Sequence, residues 1–491
     1  MYNFKATPSS TALIHEEFTM SSDQGFFSMT RLASLRYGKF RYNSPWTQVC
    51  LVGFLAFCSV GMHSAVSGLG GGGTQDVQLS DIANSCLYAC FFVAGFFSGS
   101  INNVLGPRMT FCLGGTGYAL YLGALWNFQL HGTRWFLILS GALLGVSAAL
   151  FWAAQGSVMM AYPLEKDKGR SFTAFWVIFQ MGTLMGSSIA LGIEFHSKLP
   201  AISAGVYVAF MIIMLITLLA SWLVLPPHLV VRGDGSIVEL HASLSPKEEL
   251  HQFIKVFKDW RMVVLFPAFF ASNYFYSYQG ALTAHLFNAR TRALVAFLTG
   301  LGSMIGSLLI GALTDILPFK RKNRALISCL VVFVLCGVVW GPGLAFQLKF
   351  DRHKPTVLGK KVPWDWTEDV AAGPIILIFG YYIIDSAFQG LSYYTMSAMT
   401  NDPFKLARMA GYYKAVQSAG AAVSFGMDAV KTSYLGEILI SLLLVVLSLP
   451  LMAIVASRIR DTNYDVEVIH HIADVKSPNG NGEEQELEEQ A

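Results

Sequence analysis

Twelve apolar windows of about 20 residues, joined mostly by short polar connections, run through this 491-residue chain between Trp46 and Ser457. About 20 helical residues cross ~30 Å of hydrocarbon, and a chain segment there must satisfy its own backbone N–H and C=O groups. The windows therefore predict an all-α membrane protein of twelve transmembrane helices. Composition agrees: 54% of residues are hydrophobic and 13% are charged, against about 25% charged in soluble domains.

The longest polar connection between the windows on the basic side follows the sixth, from Pro227 to Arg261. The layout predicted is a tail over 1–45, six helices over 46–226, a linker over 227–261, six helices over 262–457 and an acidic disordered tail over 458–491. Within the linker, Ser245 with Glu248 reads as the cap of a short amphipathic helix. Lys and Arg are retained on the cytosolic side of short loops. With both termini inside, 23 of them fall on inner segments and 10 on outer loops, which predicts cytosolic termini. No cleavable leader is expected. The dispersed basic residues imply lipid rather than nucleic acid as the surrounding partner. All seven cysteines lie inside windows, so no disulfide framework is expected.

The two halves echo one another. "FWAAQGSVMMAYPLEKDKGRSFTAFWVIFQMG" in windows four and five aligns with "DSAFQGLSYYTMSAMTNDPFKLARMAGYYKAVQSAG" in windows ten and eleven. Gln155-Gly156 answers Gln389-Gly390, Arg170 answers Arg408, and Gln180 answers Gln417. At ~1.5 Å rise per residue, Gln155 lies about 9 Å from the cytosolic edge and the other three glutamines about 12 to 14 Å. Four amides at similar depth either bond helix to helix or line a central cavity.

Asp385 falls near mid-membrane, where an ionisable group is a functional candidate by default. Lys414 falls about 12 Å lower in this register, so no direct ion pair is expected; it either joins the polar group or snorkels to the inner interface. Asp428 and Glu437 read as ordinary charges at outer window ends.

A second repeat follows windows two and eight. "GSINNVLGPR" sets Gly99, Asn103, Gly106 and Arg108 at the spacing G-x-x-x-N/D-x-x-G-x-R, and "GALTDILPFKRKNR" keeps Gly311 and Asp315 with a basic run containing Arg321. These loops resemble the signature loop of the major facilitator superfamily, and the resemblance implies a latch that joins neighbouring helices through close glycine contacts and charge pairing. Asn103 stands where the acid belongs, and Pro318 where the second copy's later glycine belongs. Small-residue pairs Gly95/Gly99, Gly182/Gly186 and Gly302/Gly306, with the Ser418–Ser424 stretch, sit in windows two, five, eight and eleven, which the same resemblance sets face to face across two six-helix bundles.

With "LFWAAQG", "VVRGDGSIV" and Asp385 through Ser424 in view, the chain resembles the uncoordinated-93-like family, in its fungal form. The resemblance implies a major facilitator fold; animal members are associated with regulating potassium channels or escorting receptors. Two functions are therefore expected as alternatives: transport of a small solute or ion, or regulation of a membrane-protein partner. Enzyme chemistry is not expected. "SGLGGGGTQD" lacks the Gly-Lys-Ser/Thr of a phosphate loop, His470-His471 is a solvated pair, and no cofactor motif or metal-ligand spacing occurs.

Overall fold

The computed structural model describes residues 29–38, 40–68, 77–194, 204–238, 246–352, 354–465 and 467. The start of the N-terminal tail, the glycine run within Ser67–Asp76, the Ser245 cap, His470-His471 and the C-terminal tail from 468 lie outside the described residues. Before the linker stand α1 (Pro45–Ala56), α2 (Met62–Gly68), α3 (Val77–His131), α4 (Arg134–Ala161), α5 (Lys168–Glu194) and α6 (Ala204–Ala220). The linker carries α7 (Pro246–Lys258). After it come α8 (Trp260–Ala271), α9 (Tyr276–Leu286), α10 (Ala289–Gly311), α11 (Arg321–Gln347), α12 (Asp369–Ser397), α13 (Pro403–Ala429) and α14 (Tyr434–Ala456). Among the described residues, nine helical segments are long and apolar enough to cross a membrane.

Short polar side chains set many helix starts, because the first N–H groups of a helix have no partner of their own. Ser44 accepts from Thr47 N–H before Pro45, and Asp402 accepts from the N–H groups of Phe404 and Lys405 before Pro403. Asp259, Asn288 and Ser433 cap α8, α10 and α14 in the same way.

Three features depart from the expectations drawn from the sequence. The segment 99–108, read as a loop, is helical on both sides of a single break at Gly106, whose φ of 76° favours glycine. The window 262–286 is not one helix: it divides at 272–275 into α8 and α9. Pro267 has already removed a backbone donor inside α8.

The small-residue pairs also divide by role. Gly95 and Gly99 carry α3 onto α13: a Cβ on Gly95 would lie 2.8 Å from Ala415 Cα, and one on Gly99 would strike Ala407. Gly182 and Gly186 instead seat α5 on Phe57 and Ala65, while Gly302 and Gly306 seat α10 on Phe379 and Ile383 of α12. Those two pairs serve packing on their own side of the linker, while α5 and α10 meet each other at Gly169, Gly300 and Gly311.

The repeated glycines beside the glutamines are true counterparts. A Cβ on Gly156 of α4 would lie 2.6 Å from Ala410 Cβ of α13, and one on Gly390 of α12 would lie 2.6 Å from Phe172 of α5. Each therefore lets a helix from one side of the linker press on a helix from the other, toward the end that bears the linker.

Candidate functional site

A cavity of about 310 Å³ lies between the helices that precede and follow the linker. Gln180, Asp385, Gln389, Lys414 and Gln417 all line it, together with Trp152, Trp176 and Tyr276. Its other lining residues include Ser80, Asp81 and Thr283, which places its mouth at the end away from the linker.

The acid and the amine expected to stand apart are joined by an amide. Gln389 Nε2 donates to Asp385 Oδ1 at 3.0 Å, and Gln389 Oε1 accepts from Lys414 Nζ at 3.4 Å. The four-residue spacing of Asp385 and Gln389 puts both on one face of α12, so the contact follows from helix geometry. Tyr276 donates its hydroxyl to the other Asp385 oxygen at 2.9 Å. Lys414 also donates to Gln417 Oε1 at 2.8 Å, and its ammonium sits 4.2 Å from the centre of the Trp152 ring. It is only 3% exposed, so the snorkelling alternative is overturned: the amine turns inward because amide and indole partners await it there.

The broken window supplies what the sequence reading missed. Ser272 and Asn273, at the break between α8 and α9, accept from Gln417 Nε2 at 2.9 Å each. Ser272 also bonds the Tyr413 hydroxyl at 2.9 Å. A helix interrupted at membrane depth is tolerated where its polar groups face protein or a cavity. Pro267 followed by Ser272-Asn273 was the signal in the sequence.

Gln155 does not join this group. It is absent from the cavity wall, accepts from the Tyr393 hydroxyl at 3.2 Å, and donates to Met159 Sδ at 3.3 Å. The level belt of four amides is thus three cavity residues and one interhelical contact. The repeat held in backbone position but not in side-chain environment: Gln155 bonds Tyr393 and Met159, whereas its counterpart Gln389 bonds Asp385 and Lys414.

Asp428 and Glu437 are not ordinary end charges. Both are buried, and Arg352 from the loop after α11 bonds Asp428 at 2.5 Å and Glu437 at 2.7 Å. The Asp81 carboxyl, from α3, meets that of Asp428 at the cavity mouth.

At the linker end the two signature loops engage different partners. Asp315 accepts from the N–H groups of Gly169 at 3.1 Å and Arg170 at 2.6 Å, capping the first turn of α5. Arg321 pairs with Glu165 at 3.2 Å and donates to Ser397 O at 3.4 Å. In the other loop, Asn103 Nδ2 donates to Phe404 O at 3.1 Å and to Glu249 Oε1 at 2.7 Å. Arg408 donates to that same oxygen at 2.5 Å. Glu249, on the linker helix α7 and only 2% exposed, supplies the carboxylate that Asn103 lacks. Arg108 donates to Val224 O at 2.7 Å.

This arrangement defines a multi-pass membrane protein with the major facilitator fold. The fold is similar to that of the major facilitator transporter FucP in its outward conformation, at a TM-score of 0.54 and 14% identity over 84% of this chain and 97% of that one. It is also similar to a bacterial homologue of the iron transporter ferroportin in an outward-facing state, at 0.60 and 11% over 84% and 100%.

Within that fold the chain belongs to the UNC-93 family. Residues 82–342 match the family described as ion channel regulatory protein UNC-93. An UNC93-like protein of Schizosaccharomyces pombe is 37% identical over 405 residues, covering 82% of this chain and 80% of the relative. UNC93-like protein 1 of Arabidopsis thaliana is 36% identical over 418 residues, covering 85% and 91%.

Proposed function

We propose that this protein is a non-enzymatic secondary transporter of a small polar solute, working by alternating access between two six-helix bundles. Counting α3 twice at its Gly106 break and adding α8–α9 and α13 to the long apolar helices gives twelve crossings. The basic linker end is then cytosolic, with both termini on that side.

The observation that carries this reading is the cavity itself. About 310 Å³ suits a small solute, and the lining joins one acid to one amine through an amide. The cavity opens away from the linker, while Gly156, Gly390, Asp315 and Glu249 draw the helices together at the linker end. Asp385 serves as the proton-coupling group, and Gln180, Gln389 and Gln417 contact the solute. The test is uptake of amino acids, monosaccharides, polyols and inorganic ions into proteoliposomes. Wild type should accumulate one class in response to an imposed pH gradient, and Asp385→Asn should lose that response; no uptake of any class would sink the reading.

The family description favours a second reading, regulation of another membrane protein. Affinity purification in mild detergent decides for it if a polytopic partner accompanies the chain in fixed ratio and no solute changes its thermal stability.

A further inference from the structure

The linker helix α7 has two faces of opposite character. At ~100° per residue, Glu249, Phe253 and Val256 share the side that packs on the molecule; Glu249 is 2% and Val256 5% exposed. Phe253 and Phe257 lay their rings on Phe97 and Phe96 of α3, at 5.7 and 5.4 Å. The next side is apolar and open: Leu250, Ile254 and Phe257 are 56, 47 and 41% exposed. These three fall within about 60° of one another around the helix.

Basic groups flank that open stripe on its far edge. Lys247, His251, Lys255 and Lys258, all exposed, follow it around the helix, and Glu248 comes only beyond Lys255. Asp259 then caps α8, whose first residue Trp260 is 49% exposed. The helix therefore lies across α3 just before its Gly106 break and across the start of α13.

We propose that α7 is an interfacial helix that binds an anionic phospholipid surface. Leu250, Ile254 and Phe257 enter the acyl boundary, and the lysine row meets acidic headgroups. A stripe of apolar side chains bordered by cations is complementary to a leaflet with apolar tails below and negative headgroups above. Seated there, α7 presents Glu249 from the adjoining side to Asn103 and Arg408, so the acid of the first latch is held in place by lipid. The inference is independent of any transported solute, since it concerns only the linker helix and the lipid.

The test is hydrogen exchange over 246–258 in the full-length protein, held in nanodiscs of phosphatidylcholine alone or with about one third phosphatidylserine. Exchange should slow by at least ~10-fold with phosphatidylserine. The Lys247→Gln, Lys255→Gln, Lys258→Gln triple variant should lose that difference, and Leu250→Ser, Ile254→Ser, Phe257→Ser should exchange faster in both lipids. Exchange in α14, remote from the linker helix, reports whether each variant is folded. Equal protection of wild-type 246–258 in the two lipids, or a phosphatidylserine effect that survives loss of the lysines in folded protein, would overturn the proposal. Neither outcome depends on uptake, so failure here and failure of the transport reading are separately visible.

Discussion

Asp385 and Lys414 are tied through a single amide, Gln389, which donates to the carboxylate and accepts from the ammonium. Removing either charge leaves the other in a low-dielectric site with only neutral partners. Asp385→Asn and Lys414→Gln should each lower thermal stability in detergent, and the double variant should lose less than their sum. A coupling of roughly 0.5 to 3 kcal/mol is expected for groups in one network. Strict additivity would mean that the two charges do not sense each other.

Glu249 offers a sharper exchange of roles. Glu249→Gln leaves Arg408 without its carboxylate, at a cost of roughly 3 kcal/mol for a broken buried pair. Asn103→Asp, added to that variant, returns an acid within reach of the same site and should recover part of the lost stability. In the wild-type background Asn103→Asp should instead destabilise, because two carboxylates would face one guanidinium. Thermal unfolding of the three variants decides; no recovery in the double variant would contradict the relocation.

The paired glutamines are expected to behave unequally. Gln155→Ala should cost about 0.6 to 1.7 kcal/mol, as for a hydrogen bond between membrane helices, and leave uptake proportional to folded protein. Gln389→Ala should abolish uptake beyond any loss of fold, since it cuts the link between Asp385 and Lys414. Equal loss of activity in both would restore the symmetric belt.

The end opposite the linker carries an acid-sensitive tie. Asp365 accepts from Asn288 Nδ2 at 2.8 Å and from Arg290 at 2.8 Å. Its partial burial pushes the carboxyl up, but hydrogen bonds from Asn288, Thr367 and Arg290 outweigh this and hold it below the usual carboxylate range. A depressed carboxyl stabilises the fold fully above its unfolded value of about 3.9 and loses that contribution as pH falls through its native value. Amide protection around Asn288 and Trp364 should therefore fade in acid, and Asp365→Asn should fade less because it has no charge to lose.

The long apolar helices, and Asp385 and Lys414 as separate candidates, were readable because each rests on local pattern: apolar length and rarity of charge in hydrocarbon. Side-chain partners across the two halves were not. The height difference between Asp385 and Lys414 correctly argued against direct contact, yet nothing in spacing alone revealed that Gln389 would fill the gap. Glu249 was hidden because it lies far along the chain from Asn103, in a linker that carries no echo in the repeat. Arg352 was hidden in an extramembrane loop for the same reason.

Alternating access predicts that the cavity is reached from either side of the membrane, one side at a time. The direct measurement is reaction of Gln180→Cys, in a chain with its seven native cysteines replaced, with a membrane-impermeant thiol reagent in right-side-out and inside-out vesicles. The wild-type latch should give labelling mainly from the side away from the linker. Glu249→Gln should raise labelling from the linker side by about tenfold, a shift of ~1.4 kcal/mol in the balance of states. Labelling from one side alone, unchanged by Glu249→Gln, would contradict the account.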